Sequence, residues 1–146
     1  MFSNVYVKFY LLELTKKEYT YQIPCASLAS EINFRGSGLM IKEFNERFPS
    51  YRHFFHFDEF NAVQRKCYHP IVNDVRNMVF SAPTSSGKTV LFELAIIRHS
   101  LIGKNTLRCL YLAPIKSLCH EKSENWRKKF KNKITVSELT GDTNME

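Results

Sequence analysis

The sequence predicts an α/β fold in which a parallel sheet is flanked by helices. Strand-like and helix-like apolar runs alternate along its second half, at residues 78–81, 90–102, 107–113, 117–130 and 134–139. A short loop that contains a glycine joins the first of these strands to the first of these helices. The composition is globular, with 44% hydrophobic residues and only 5 Gly and 5 Pro among 146 residues. Together these features favour strands connected by crossover helices.

The amino-terminal part of the chain has a weaker pattern. Apolar and polar side chains alternate at residues 5–10 and 19–23, so two short strands joined near residues 15–17 fit the pattern. A poorly ordered leader fits it equally well. We therefore predict an extension of uncertain structure over residues 1–50 and an α/β domain over residues 51–146.

Aromatic residues and a helical repeat mark the start of the α/β domain. Phenylalanines crowd residues 44–60, and we expect most of them in the core. Residues 61–73 predict a helix, because Val63, Cys67 and Ile71 are spaced four apart. Pro70 is expected to restrict or end this helix.

The most informative motif lies between the strand at residues 78–81 and the helix at residues 90–102. It reads Ala82, Pro83, Thr84, Ser85, Ser86, Gly87, Lys88 and Thr89. A tight loop of this type aims backbone N–H groups at a phosphate chain, and the following helix points its positive end at the same anion. Lys88 would add a charge for the β- and γ-phosphates, and the Thr89 hydroxyl can ligate Mg²⁺.

The whole motif is therefore predicted to contact a nucleoside triphosphate, with Lys88 and Thr89 as the catalytic residues and Thr89 as the Mg²⁺ ligand. A turn that precedes a core helix and binds no ligand is the structural alternative.

The charge of the chain is strongly positive. Its 21 Lys and Arg exceed its 14 Asp and Glu, which gives a net charge of +7. The excess lies late in the chain, at Lys116, Lys122, Arg127, Lys128, Lys129, Lys131 and Lys133. A polyanion would be attracted to this stretch, although a solvated helix face explains it equally well.

Cysteine spacing and hydropathy indicate a soluble protein of a reducing compartment. The 4 cysteines form no C-x-x-C pair, so we expect no disulfide-linked partner. The apolar patch at residues 9–12 is short and bracketed by Lys8 and Glu13, so no signal peptide is predicted. No apolar run approaches the length of a membrane span, and no membrane partner is expected.

Two further motifs follow the loop, an Ala-Pro-Ile-Lys-Ser-Leu string at residues 113–118 and a Thr-Gly-Asp string at residues 140–142. In this order the three motifs resemble the first RecA-like domain of superfamily 2 DExH-box helicases. The strings at residues 90–96, 111–119 and 138–143 resemble the Ski-like group, and within it the meiotic crossover-promoting DNA helicases. The loop's start with Ala82 in place of Gly fits the same superfamily.

The resemblance implies roles for individual residues. The later two motifs would hold the sugar-phosphate backbone of one nucleic-acid strand, through Pro114, Lys116, Thr140, Gly141 and Asp142. Because a carboxylate repels phosphate, Asp142 is expected to orient its loop. Gln64 lies in a segment that resembles the family's Q motif and would read the adenine edge. Its alternative is an exposed helix glutamine.

The function that the resemblance implies is ATP-dependent unwinding of DNA in the 3′-to-5′ direction, in meiotic recombination and in the nucleus. ATP and Mg²⁺ would be the cofactors, and single-stranded or branched DNA the partner. Residues 51–146 would hold the first part of the ATP-binding RecA-like domain.

The sequence contains no Asp-Glu-x-His string, so these 146 residues alone are expected to hydrolyse ATP very slowly or not at all. A catalytically inactive truncated fragment that binds nucleic acid or a protein partner is the alternative. A nucleotide kinase is a more distant alternative.

One loop residue departs from the resemblance. Many members of the family have Gly at the position of Ser85, and Ser tolerates positive φ poorly. A loop that keeps φ negative there would accept Ser, and we predict that nucleotide binding survives.

Overall fold

The computed structural model describes residues 21–22, 37–74, 78–80, 82, 85–102 and 109–141. Its helices are α1 (Ser37–Arg47), α2 (Ala62–Asn73), α3 (Lys88–Ile102) and α4 (Lys116–Phe130), with 3₁₀ helices at Pro49–Tyr51 and Lys131–Lys133. Two short strands are β1 (Tyr21–Gln22) and β2 (Met78–Val79). The chain divides into two compact units, Met1–Leu110 and Tyr111–Glu146.

The helices predicted at residues 61–73, 90–102 and 117–130 are confirmed as α2, α3 and α4. The expectation for Pro70 is wrong, because α2 continues past it to Asn73. Proline lacks a backbone donor and its ring crowds the carbonyl four residues earlier, but Ile71 and Val72, which follow it, are each only 1% exposed. Their burial favours continuation. The helix closes where Asp74 N donates to Pro70 O at 3.0 Å.

The sheet in the described residues is smaller than predicted. β1 and β2 pair in parallel, with Tyr21 opposite Met78 and Gln22 opposite Val79. Residues of the amino-terminal extension therefore pair with the strand that precedes the loop. The predicted junction between two extension strands, at residues 15–17, lies outside the described residues.

The strands predicted at residues 107–113 and 134–139 are not confirmed. In the described part of the first segment Leu110 forms a single bridge, and residues 134–139 enter no ladder. A helix side chain holds the second segment instead, since Arg127 Nε of α4 donates to Val136 O at 3.1 Å. Residues 107 and 108 lie outside the described residues.

The core of the first unit combines aliphatic side chains with a cluster of aromatic rings. α2 packs against α3, whose Leu94 and Ile97 are fully buried. Because α3 is apolar on most faces, it is buried on most faces. The predicted aromatic core is confirmed at Phe60, which is 1% exposed, and at Phe44 of α1, whose ring lies 5.0 Å from that of Phe55.

The Phe44–Phe55 contact crosses the predicted boundary at residue 50, and that division into domains stays a prediction.

The second unit is built around α4. The buried residues of α4 are Ser123, Trp126 and Phe130. The Tyr111 ring meets the Trp126 ring edge-on, with 5.1 Å between the ring centroids. A 3₁₀ turn at Lys131–Lys133 then reverses the chain. None of the helices in the described ranges is long and apolar enough to cross a membrane.

Candidate functional site

The amino terminus of α2 is closed by a reciprocal cap. Asn61 Oδ1 accepts a hydrogen bond from Gln64 N at 3.0 Å, and Gln64 Oε1 accepts one from Asn61 N at 2.9 Å. This arrangement satisfies two backbone donors that a helix start would otherwise leave unpaired. Gln64 is consequently only 5% exposed, which excludes the exposed-glutamine alternative.

The same two side chains form hydrogen bonds with the predicted phosphate-binding loop, residues 82–89, which is called the phosphate loop below. Gln64 Nε2 donates to Gly87 O at 3.3 Å, and Asn61 Nδ2 donates to Ser86 O at 3.0 Å. These carbonyls belong to consecutive residues directly before α3. The cap of α2 therefore fixes the orientation of the loop backbone where α3 begins.

Gly87 is required by this contact for two reasons. Its φ is +81°, in the left-handed region that side chains disfavour. A Cβ at this position would also overlap Gln64 Nε2 and lie 2.9 Å from Asn61 Nδ2. Both the backbone conformation and the close approach of the α2 side chains disfavour a larger residue at this position.

Lys88 and Ser86 have the features expected of an anion-binding site. Lys88 Nζ donates to Ala82 O at 2.7 Å, so the ammonium group lies over the loop and joins its two ends. Ser86 Oγ is buried and has no hydrogen-bond partner within the part of the chain that the structure describes. Leaving a buried hydroxyl unpaired costs about 1–3 kcal/mol, which a phosphate oxygen would offset.

The remaining loop residues are only partly described. Thr89 is partly exposed in the first turn of α3, directly after Lys88. Ala82 is also partly exposed. The predicted contacts Pro83 and Thr84 lie outside the described residues.

The structure corrects the expectation for Ser85. Its φ is +65°, so the loop does not keep φ negative at this residue. The loop thus adopts the left-handed conformation for which Gly is suited, and it does so with a Cβ present. An L-residue in this conformation costs about 1–2 kcal/mol.

Replacing Ser85 by Gly is expected to stabilise the loop. Removal of the Cβ relieves the left-handed strain, and the greater freedom of Gly in the unfolded chain offsets part of that gain. The net expectation is about 1 kcal/mol of stability, together with equal or tighter nucleotide binding. Urea unfolding followed by circular dichroism measures it. Ser85→Ala is the control, since it removes the hydroxyl but keeps the Cβ, and a gain in Ser85→Ala of the same size would contradict the strain.

Gln64→Glu is expected to separate the helix cap from the loop contact. A carboxylate still accepts from Asn61 N, so the cap survives, but it cannot donate to Gly87 O and places a negative charge there. We expect a loss of at least about 1 kcal/mol of stability, from the lost bond to Gly87 O, and about tenfold weaker nucleotide binding.

Gln64→Ala is the comparison, because it removes both contacts and should also cost about 1–2 kcal/mol of stability. Unchanged nucleotide binding in Gln64→Glu would contradict the loop role.

The predicted strand contacts lie in the second unit. Pro114 and Lys116 are exposed where α4 begins, and no side chain caps that helix start at Ile115 in the described structure. Thr140 is partly buried, whereas Gly141 is exposed, and a Cβ added to Gly141 would meet no atom within 4 Å. Asp142 lies outside the described residues. Gln64 and the loop belong to Met1–Leu110, whereas these contacts belong to Tyr111–Glu146.

Sequence reasoning missed two groups of residues. The reciprocal cap has a recognisable pattern, a capping residue followed three positions later by Gln, so Asn61 could have been identified. Ser123 and His120 of α4, which contact Glu138, have no such pattern because the contact joins residues distant in sequence. The hydrogen bond from Ser123 holds the pKa of the Glu138 carboxyl below its usual range, with a smaller contribution from His120.

Comparison with known proteins gives consistent matches. The DEAD/DEAH box helicase family model matches residues 61–146. "ATP-dependent DNA helicase MER3" of Saccharomyces cerevisiae is 44% identical over 97 residues, covering 64% of this chain and 8% of that protein. "Probable ATP-dependent DNA helicase HFM1" of Homo sapiens is 39% identical over 118 residues, covering 78% of this chain and 8% of that protein.

"DExH-box ATP-dependent RNA helicase DExH13" of Arabidopsis thaliana is 40% identical over 101 residues, covering 66% of this chain and 5% of that protein. No solved structure matches the chain.

The chain spans at most 8% of the length of these three relatives. The family match begins at Asn61, the capping residue of α2, and includes the phosphate loop and both later motifs. It confirms the predicted resemblance to helicases, and the chain belongs to the DEAD/DEAH box helicase family.

Proposed function

We propose that the chain forms the ATP-binding and first strand-contact part of an ATP-dependent DNA helicase that moves 3′ to 5′. The proposal rests mainly on the hydrogen bond from Gln64 to Gly87 O, which attaches the loop to the capped start of α2. This contact joins the predicted adenine reader to the predicted phosphate loop. It lies within the region that matches the helicase family.

The loop residues fit ATP and Mg²⁺. The buried, unpaired Ser86 hydroxyl and the ammonium group of Lys88 provide a donor and a positive charge for phosphate oxygens. Thr89 would ligate Mg²⁺, which, when bound, neutralises charge on the phosphates. Backbone N–H groups of the remaining loop residues, such as Thr84, would complete the proposed phosphate-binding site. Pro83 has no N–H and would contribute only a contact.

Gln64 supports adenine recognition through its remaining hydrogen-bonding capacity. An amide has two N–H donors and two acceptor lone pairs. The contacts with Asn61 and Gly87 use one of each, so one donor and one lone pair remain. The adenine edge offers the complementary acceptor and donor.

The second unit would hold the strand. The exposed Lys116 and the uncapped start of α4 offer positive charge to a phosphate, with Pro114, Thr140, Gly141 and Asp142 as further contacts. Two of the relatives above are named DNA helicases and one is named an RNA helicase. We propose DNA, in single-stranded or branched form, and a nuclear role in meiotic recombination, because the motif strings resemble that branch.

A second candidate is an inactive fragment that binds nucleic acid or a protein partner. The exposed Lys128 of α4 and Lys131, which directly follows α4, favour binding of a polyanion. Such a fragment would bind DNA without needing a nucleotide seat.

Nucleotide binding and ATP turnover, each measured with and without single-stranded DNA, separate these functions. The proposed function predicts saturable binding of a fluorescent ATP analogue, together with weak DNA binding that falls steeply with salt. DNA binding without nucleotide binding would favour the inactive fragment. Phosphate transfer to a nucleotide acceptor, indifferent to DNA, would indicate a kinase, and salt-independent DNA binding would contradict the proposed strand contacts.

A further inference from the structure

Glu138 joins the last described segment to α4. Ser123 Oγ donates to Glu138 Oε2 at 2.9 Å, and His120 Nδ1 lies 3.2 Å from the same oxygen. Ser123 is 5% exposed, and its single hydroxyl proton lies within hydrogen-bond distance of two acceptors, Glu138 Oε2 and the His120 carbonyl oxygen at 3.0 Å. One carboxylate oxygen thus binds two successive positions of a single helix face.

A second contact gives the direction of the segment. Arg127 Nε donates to Val136 O at 3.1 Å, whereas Glu138, two residues further along the segment, contacts Ser123 and His120. The contacts therefore move towards the start of α4 as the segment advances. From Glu138 to Thr140 an extended chain advances about 6–7 Å. From His120 to Lys116 a helix rises about 6 Å.

This register places Thr140 level with the first turn of α4, beside the position where Pro114 leads into Lys116. We propose that Glu138 is a positioning residue, which fixes the register of residues 134–141 on α4 so that the two strand-contact motifs meet at one end of this helix. The role rests on the proposed function. Glu138 itself contacts α4 and acts on the nucleic acid only through Thr140 and Gly141.

A pure charge effect and a positioning role predict opposite changes in DNA affinity when the Glu138 side chain is removed. Glu138 is an anion near a surface proposed to bind a polyanion, so charge alone predicts that its removal tightens DNA binding. Positioning predicts that Glu138→Ala weakens binding, because the register is lost. Gln retains an acceptor for Ser123 and should preserve the register without the charge.

The test measures binding of the 146-residue chain to a fluorescein-labelled single-stranded thymidine oligonucleotide by anisotropy at low salt. We expect about tenfold weaker binding for Glu138→Ala, and Glu138→Gln within about twofold of wild type. Glu121→Gln is the charge control, since Glu121 is exposed on α4 and pairs with its neighbour Lys122. It should bind equally or slightly more tightly.

A second readout separates register from global unfolding. Amide hydrogen exchange at residues 139–141 should quicken in Glu138→Ala while that of α4 stays unchanged. The single tryptophan, Trp126, is buried on α4, so its fluorescence reports whether the second unit remains folded. If Glu138→Ala unfolds, Ser123→Ala tests the positioning role instead. This variant removes the hydroxyl that donates to Glu138 but keeps the carboxylate charge, and we expect severalfold weaker DNA binding.

Wild-type affinity or tighter in Glu138→Ala would overturn the positioning role, as would a loss in Glu138→Gln as large as in Glu138→Ala. In the fallback experiment, wild-type affinity in Ser123→Ala would overturn it. Failure of the wild-type chain to bind DNA is a different result, which refutes the proposed function and the positioning role with it.

Discussion

Gly87→Ala is expected to abolish nucleotide binding and to destabilise the first unit. The new Cβ would lie on a backbone with φ at +81° and would overlap Gln64 Nε2, so the Gln64 side chain or the loop must shift and the hydrogen bond between them is lost. The left-handed conformation costs about 1–2 kcal/mol, and the two lost hydrogen bonds to Gly87 O and Ser86 O about 1 kcal/mol each. The expected loss of stability is about 3–4 kcal/mol.

Urea unfolding by circular dichroism and titration with a fluorescent ATP analogue measure the two effects. Gly141→Ala is the matched control, because a Cβ at Gly141 meets no atom within 4 Å. We expect this control to keep wild-type stability and nucleotide affinity. Wild-type nucleotide affinity in Gly87→Ala would contradict the close packing of the loop on α2.

Lys88→Ala is expected to weaken nucleotide binding by about 10- to 100-fold. A hydrogen bond to a charged group contributes about 1.5–3 kcal/mol, and the phosphate chain would lose this one entirely. The mutation also removes the hydrogen bond from Lys88 to Ala82 O, so some stability is lost as well. Nucleotide titration under conditions where urea unfolding shows the variant to be folded measures the effect on affinity.

Lys42→Ala controls for the general loss of a positive charge. Lys42 lies on α1 with 74% of its side chain exposed and pairs with Glu46 at 3.9 Å. Its replacement should leave nucleotide affinity unchanged. If Lys42→Ala and Lys88→Ala weakened binding equally, the effect would come from net charge and the assigned role of Lys88 would be wrong.

The features predicted correctly are local ones. The periodicity of apolar residues located α2, α3 and α4, and the loop motif located the residues that the structure gathers around Gly87. Gln64 was identified through a resemblance, yet its contact with Gly87 requires the spatial approach of α2 and the loop. The domain division and the ligand roles of the site residues stay predictions.

Apart from the Asn61 cap, which has a local pattern, the features that sequence reasoning missed depend on tertiary contacts. α2 continues through Pro70 because Ile71 and Val72 are buried, a gain that local propensity does not include. Ser85 adopts positive φ although its side chain disfavours it, since the surrounding loop determines its conformation. The extended segment at residues 134–139 is held by side chains of α4, a mode that apolar alternation cannot distinguish from strand pairing.

We propose that residues 82–89, held on the cap of α2, form a binding site for an adenine nucleotide. The decisive measurement is titration of the wild-type chain with a fluorescent ATP analogue in the presence of Mg²⁺, followed by competition with unlabelled ATP and GTP. We expect a saturable signal that ATP displaces more readily than GTP. Absence of a saturable signal, or displacement by GTP as readily as by ATP, would contradict it.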